Sequence, residues 1–403
     1  MPNGILTHQM LAREAAAMLM EEANFLTNIN RGREDEFKSQ PNGYKKGDFV
    51  DIGIPPVPTV YDGSNFAGGG AAPDQNETKV RLQLNTQKHV PMTFTAKEKV
   101  LQISEFKERF LRPAINSLSS VVQADLIRQA VLATPNVVGT PGSLPNTFKT
   151  YGQARSILER HLAPGGDRVA LMSSDASNEL ADAIKNQQNP NETLNKAFLQ
   201  GYITRAQAFD MYENQSLPVV ANGTQASFTI NGAGQTGSTL NIATLTAANT
   251  ILKGTVFAIA GVFETHPILG VSNGKLRQFV VTADFTAAGL TGAISIFPAL
   301  SVTTASVIGT VSALPANGAA ATMVGAAATG YRQELAFHKD AFTAAFAPLP
   351  VLASCEGYTA TIGGFSVRVM TFGNGQTDTE STRIDVLYGF AAVRPDHATR
   401  VTE

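Results

Sequence analysis

Residues 113–133 read Pro-Ala-Ile-Asn-Ser-Leu-Ser-Ser-Val-Val-Gln-Ala-Asp-Leu-Ile-Arg-Gln-Ala-Val-Leu-Ala, and the reading of the whole chain turns on them. Ile115, Leu118, Val122, Leu126 and Val131 recur at helical spacing, with Val121 beside them. Pro113 suits a first helical turn, where its missing N–H has no partner to lose. Thr134-Pro135 stops the run, because the residue before a proline is pushed out of helical geometry. A helix of this length extends about 30 Å. It is the longest element the sequence predicts.

Beyond this helix, Pro135, Gly139, Pro141, Gly142 and Pro145 mark a loop. A helix is expected around Tyr151–His161, then a short buried strand Val169–Met172, then a helix capped by Ser173 or Ser174 and carrying Leu180, Ala181 and Ile184. Asn191-Glu192-Thr193 starts another short turn or helix. Tyr202–Thr204, Phe209–Tyr212 and Leu217–Val220 read as extended.

Composition breaks sharply at 221. From 221 to 330 the only charged residues are Lys253, Glu264, Lys275, Arg277 and Asp284. Short alternating runs recur at Phe228–Ile230, Leu240–Ile242, Val256–Ile259, Phe279–Val281 and Ala293–Ile296, separated by turns. That pattern predicts an antiparallel barrel or sandwich, set as an insert between two α+β segments. Charge returns after 331 with Arg332, Glu334, Lys339 and Asp340. Phe365–Met370 and Ser381–Tyr388 read as strands around a Gly373-Asn374-Gly375 tip.

Ahead of the long helix, Ser104 opens a helical stretch with Phe106 and Phe110 on one face. Residues 48–95 read as a long hairpin. Phe49–Ile54, bounded by Pro55, Pro56 and Pro58, is an edge strand or an extended arm, Gly68-Gly69-Gly70 is a flexible tip, and Val80–Leu84 and Val90–Phe94 alternate. Such an arm buries little of itself and gains by lying on a neighbour. Residues 31–47 read as a polar loop with Arg31, Arg33, Lys45 and Lys46. Before it, residues 6–30 predict an amphipathic helix capped by Thr7, whose stripe is Leu6, Met10, Leu11, Met18, Leu19, Phe25, Leu26 and Ile29. That stripe docks on its own core or on another subunit.

The totals narrow the function. The chain has 403 residues, 43% of them hydrophobic and only 16% charged, and a formal net charge of −2. It has no global basic field to hold nucleic acid, so at most weak, non-specific contact with DNA is expected. Cys355 is the single cysteine, which excludes an internal disulfide and reads as a buried thiol. The first residues do not look like a secretory signal, and no apolar run is long enough for a membrane span.

Chemistry motifs fail their context. Gly232-Ala-Gly234-Gln-Thr-Gly237 spells a dinucleotide fingerprint, but a strand-like Ser238–Ile242 follows where a phosphate-binding helix is needed. Gly270-Val-Ser272-Asn-Gly274 spells the nucleophile elbow of serine hydrolases. It too leads into a strand, and His338 and His397 downstream add little. No His-Glu-x-x-His and no cysteine pair suggests a metal. Asp48 with Asp51, and Asp378 with Glu380, read as ordinary loop carboxylates, and the Asn76 and Asn222 sequons as incidental. No catalytic, cofactor or metal residue is assigned.

Several stretches carry a resemblance. They are Glu108–Ala114, Gly201-Tyr202 through Phe209–Tyr212 to Leu217–Val219, Phe257–Val262, Gln278–Val281, Phe337–Phe342, and Tyr388-Gly-Phe390 through Arg394-Pro395. In this order they resemble the coat proteins of P-twenty-two-like podoviruses. The resemblance implies an α+β chain with the Hong Kong ninety-seven capsid fold and an inserted antiparallel β-barrel. It implies an N-terminal arm at 1–47, an extended loop at 48–95, a peripheral domain with the spine helix at 96–164, an axial domain with closing peripheral strands at 165–220 and 331–403, and the inserted barrel at 221–330. It further implies a virion shell of homo-oligomeric pentamers and hexamers, assembled in the bacterial cytoplasm with a scaffolding protein. The shell would expand as double-stranded DNA enters through a portal protein, and a decoration protein is a possible further partner. The competing readings are a tail or decoration component, a serine hydrolase centred on Ser272, and a carbohydrate-binding β module confined to 221–330.

Overall fold

The structure is a computed structural model that describes residues 8–22, 24–31, 49–55, 57, 64, 77–95, 112–184, 205–304, 307–375, 377 and 379–403. In chain order the elements begin with helices α1 (His8–Glu22) and α2 (Asn24–Thr27) and strands β1 (Phe49–Ile54) and β2 (Thr78–Thr95). Helix α3 (Arg112–Ala133), β3 (Val137–Gly139), α4 (Phe148–Arg160), β4 (Arg168–Met172) and α5 (Ser174–Ile184) follow. Next are β5 (Arg205–Ala206), β6 (Phe209–Glu213), β7 (Val219–Ala221), β8 (Phe228–Ile230), β9 (Gly237–Ala243), β10 (Thr250–Ile251), β11 (Val256–Thr265), β12 (Ser272–Val281), β13 (Phe285–Thr286), β14 (Thr291–Leu300) and β15 (Ala320–Met323). The chain closes with β16 (Gly330–His338), β17 (Phe342–Ala347), β18 (Glu356–Ile362), β19 (Phe365–Asn374), β20 (Thr379–Ala392) and β21 (Ala398–Thr402). They fall into two compact units.

The first unit gathers residues 1–52, 80–127 and 342–393. Its sheet runs β1-β2-β20-β19-β18, with β17 also pairing β20. The two alternating runs expected at 80–84 and 90–94 are one strand, β2, paired antiparallel with β20 from Leu84↔Gly389 to Thr95↔Thr379. A bulge lies between Leu84 and Thr86, where the strand passes Gly389. A Cβ on Gly389 would sit 2.1 Å from the Gln83 carbonyl oxygen, so only glycine admits this approach. Gly389→Val should cost about 1–3 kcal/mol and free β2. Amide exchange along β2 would rise sharply, and unchanged protection would refute the pairing.

Helix α1 packs on β18 and β19, so the arm docks on its own chain. Its buried face is Leu11, Ala12, Ala15 and Ala16, whereas Met10 is 55% exposed. Of the expected stripe Leu11 is buried and Met10 is corrected, because alanines complete the buried face and let the helix lie close to the sheet, while Leu6 and the side chains of Met18 and Leu19 lie outside the described residues. Phe25, Leu26 and Ile29 are buried as expected, with the Phe25 ring 6.3 Å from that of Phe342. Arg31 lies 4.6 Å above the Phe365 ring and donates to the Gly363 carbonyl. Arg33, Lys45, Lys46, the 68–70 glycines, the stretch from Ser104 to Phe110, Thr7 and residues 191–204 lie outside the described residues.

The spine helix forms within a residue of its expected bounds, and Ile115, Leu118, Val122, Leu126 and Val131 are all buried. Val121 is the exception at 51% exposure, because it turns away from that stripe. Thr134 closes the helix by donating from Oγ1 to the Ala130 carbonyl at 2.9 Å. The final hairpin turns later than expected. Asn374 still pairs with Thr379, so Gly373 and Asn374 belong to β19 rather than to the tip. Cys355 is half-exposed rather than buried, since it sits in the turn that leads into β18.

The second unit gathers residues 53–79, 128–341 and 394–403. One sheet runs β3-β21-β16-β4-β6-β5, with β7 pairing the start of β16. Val137–Gly139, expected as loop, is its edge strand because it pairs with the far end of the chain, Arg400–Thr402. Helices α4 and α5 cover this sheet through Tyr151, Ala154, Leu158 and Leu180, which meet Ala170, Met172, Phe209, Met211, Ala336 and Val401. Ser173 caps α5, its Oγ accepting from the Ala176 N–H at 3.1 Å.

A closed antiparallel barrel, β11-β12-β14-β9-β8-β15, occupies the low-charge region. All five alternating runs read from the sequence lie in its strands. Their inward residues, among them Phe228, Ile230, Leu240, Ile242, Phe257, Ile259, Phe279, Val281, Ile294 and Ile296, form one core. Closure removes the exposed edges that an open sheet would carry. The sixth strand, β15, turns Ala321 and the partly buried Met323 inward, and it is too short and small-sided to stand out in the sequence.

The root of the barrel as candidate functional site

The barrel leaves and re-enters its carrying sheet through one pair of strands. Ala221 in β7 stands opposite Gly330 in β16, and Val219 opposite Arg332. Around this stem the barrel wall meets strand β3. Gln278 uses both ends of its amide on Val137, accepting from the backbone N–H at 2.8 Å and donating to the carbonyl at 3.0 Å. Val137, Val256 and Val280 fill the space beside that pair. Gly254, at φ +92°, brings the barrel within reach of α3. A Cβ there would sit 2.3 Å from Leu132 Cδ2.

Two of the five charges in the insert are buried at this root. Arg277 and Glu264 are each 3% exposed. Arg277 Nη2 donates to Asp396 Oδ1 at 2.5 Å, and Nη1 lies 3.1 Å from His161 Nε2. Glu264 accepts from Arg160 Nε, and its other oxygen is 3.8 Å from His161. Both barrel charges are thus neutralised by residues of the carrying unit, as buried charges require. The signal in sequence was two isolated charges in an apolar run. Their partners were not legible, because Arg160 and Asp396 lie far away in the chain.

The histidines are structural here. His397 Nε2 is 3.1 Å from the His161 carbonyl oxygen, and the His338 and His397 rings lie 6.3 Å apart. Burial lowers His161 and His338 below the ordinary value and brings His397 down to about 4. Ser272, the residue of the hydrolase-like motif, opens strand β12, and its Oγ accepts from the Gly274 N–H at 3.2 Å. Gly270 and Gly274 take positive φ of +65° and +69° around it. The motif runs from the end of a turn into the start of β12, without the strand-to-helix passage that an elbow needs. Gly232, Gly234 and Gly237 also take positive φ, in the β8–β9 turn, and no helix follows them. The Asn222 side chain donates inward to the Val324 carbonyl at 2.7 Å. Among the described residues no group of three or more His, Cys, Asp or Glu side chains could hold a metal ion, and no helix is long and apolar enough to cross a membrane.

On the opposite face of the carrying sheet, Glu334 is fully buried. It accepts from the Tyr151 hydroxyl at 2.5 Å and from the Ser173 N–H at 2.9 Å. Burial raises its carboxyl from the ordinary 4.5 to about 7, with those two hydrogen bonds opposing. The unfolded chain ionises near 4.5, so the stability tied to the neutral form is present below pH 4.5 and lost as pH rises through 7. Glu334→Gln should therefore match the parent near pH 4.5 and exceed it above pH 7, by on the order of 2–3 kcal/mol. His397 runs the other way, losing stability as pH falls from 6.5 through 4. Denaturant midpoints of parent and variant at each pH cancel that common histidine contribution. A constant difference across pH would refute the assignment.

The P22 coat protein family model (P22 coat protein - gene protein 5) matches residues 61–400. A solved structure from Mycobacterium phage Che8 aligns with a TM-score of 0.50 at 14% identity, covering 94% of this chain and 90% of that one. The capsid structure of cyanophage P-SCSP1u aligns with a TM-score of 0.45 at 10% identity, covering 94% and 97%. A comparison with curated proteins gave no match. The likeness to solved structures concerns the fold, and the family match carries the rest.

Proposed function

The chain belongs to the P22 coat protein family, and from that premise we propose how its parts divide the work of a shell subunit. The protein is the major capsid protein of a tailed phage, it forms an icosahedral shell, and its place is the virion. The observation that carries this is the family match over residues 61–400. Its role is structural, in keeping with a buried polar cluster whose members are committed to one another.

The hairpin of β1 and β2 serves as the extended loop that lies across a neighbouring subunit. The spine helix supports the peripheral domain, residues 165–220 and 331–403 supply the axial domain at capsomer centres, and the barrel at 221–330 faces outward. Many modest contacts, repeated by symmetry, close the shell. A net charge of −2 suits a wall that touches packaged DNA weakly. A portal protein admits the DNA, and a decoration protein is a further partner in this scheme.

A scaffolding protein meets the arm. Arg31 is engaged with Phe365 and Gly363, so the contact falls on the outward face of α1, which presents exposed Arg13. Deleting residues 1–30 should abolish scaffold-dependent assembly. Because that deletion also uncovers β18 and β19, Arg13→Glu is the cleaner variant, and it should lower shell yield with scaffold while leaving the subunit's melting temperature unchanged. Normal shells from both variants would end this assignment.

A further inference from the structure

We propose that Arg400 binds a small monovalent anion of chloride size at the root of the barrel. Its side chain is among the largest fully buried ones in the protein. Nη1 donates to the Gly254 carbonyl at 2.8 Å, while Nε and Nη2 have no hydrogen-bond partner among the described residues. The two free donors belong to one guanidinium plane, a fork suited to a single acceptor.

Arg400 is one of the residues that line a small cavity. The cavity has about 20 Å³ of room and is lined by Val137, Val220, Gly254, Val256 and Val324 on its apolar side. Asn222, Tyr331, Gln333 and Thr402 complete it with polar groups. That room suffices for one water-sized group and not for a carboxylate side chain or a sulfate. No Asp or Glu lines it. The other buried arginines of the unit differ: Arg277 faces Asp396, and Arg168 faces Glu159 and two carbonyls. Burial alone, with no carboxylate to offset it, pulls Arg400 down to about 9. At neutral pH the group remains charged, and an unpaired buried cation is costly.

Of the polar lining, the amide nitrogens of Asn222 and Gln333 are committed elsewhere, and the hydroxyls of Tyr331 and Thr402 are the groups left to donate to an anion. Asn222 Nδ2 is used on the Val324 carbonyl, and Gln333 Nε2 donates to Thr402 Oγ1 at 2.9 Å. The Tyr331 hydroxyl oxygen accepts from the Ala326 N–H at 3.2 Å, which leaves its proton to donate. Thr402 likewise keeps its hydroxyl proton. An anion held there would touch the stem through Tyr331 and the closing strand through Arg400 and Thr402. It would therefore tie the inserted barrel to the sheet that carries it.

The test uses the full-length subunit at fixed ionic strength and pH 7. Sodium chloride is exchanged stepwise for sodium gluconate while the thermal midpoint is followed, and the chloride-35 NMR line width is recorded against bromide and sulfate. The midpoint should rise by about 2 °C or more in chloride. The protein should broaden the chloride line, bromide should reverse that broadening, and equal ionic strength of sulfate should not. Arg400→Met should lose both responses. Should that variant fail to fold, the bromide-against-sulfate competition in the parent decides alone. Equal midpoints in both salts, or broadening reversed equally by bromide and sulfate, would overturn the proposal.

Discussion

Phe257→Ala unfolds the barrel at temperatures where the parent is intact, with a loss of about 3–5 kcal/mol. The Phe257 ring is fully buried at the centre of the insert. It meets Phe228 edge-on, with centroids 5.1 Å apart at 70°, and stacks on Phe279 at 5.8 Å and 29°. Its strand β11 pairs with β12 on one side and β15 on the other, so it sits where barrel closure is made. Truncation removes transfer free energy and leaves a cavity that a closed barrel has little freedom to fill. Urea unfolding followed by intrinsic tyrosine fluorescence and by limited proteolysis within 221–330 would measure the loss. Soluble subunit should remain, but with cleavage in the insert and few closed shells. A loss below about 1 kcal/mol would mean that the core is far more plastic than its ring packing implies.

Asp385→Ala should cost a similar amount in the other unit, about 3–5 kcal/mol. Asp385 is fully buried in β20. Its Oδ2 accepts from Arg368 Nη2 at 2.5 Å and from Gln87 Nε2 at 3.0 Å, with Arg383 Nε also 3.0 Å away. One carboxylate therefore joins three strands: β2 through Gln87, β19 through Arg368, and its own. Removing it strands the Arg368 guanidinium, which is itself 6% exposed. The double variant Arg368→Leu/Asp385→Leu should recover most of the loss, because removing both charges is far cheaper than removing one. If the single variant matches the parent, or the double variant is the worse of the two, the pair does not hold this sheet together.

Both effects rest on residues that the sequence shows unequally. Phe257 belongs to an alternating run, and such runs read as barrel strands because one face must be apolar. Ile115 to Val131 were legible as one helix for the same reason at a different period. Asp385 carried no such mark, since a charged residue inside a strand looks solvent-facing until its partners are known. The missing strands follow the same logic. Val137–Gly139 and Ala320–Met323 are short or small-sided, and they are strands only because distant segments pair with them. At the barrel root, Arg277 and Glu264 stood out as isolated charges in an apolar region. Arg160, His161 and Asp396 did not, because pairing across more than a hundred residues leaves no local pattern. The arm erred in a smaller way. Spacing placed a helix, but close packing on β18 and β19 selected the alanine face over Met10.

The most direct test of the central claim is electron microscopy of the purified protein, expressed alone and together with its candidate scaffold. Closed shells bearing five-fold and six-fold clusters are the predicted result. Only monomers or short rods under every assembly condition would contradict it and point to a tail or decoration component.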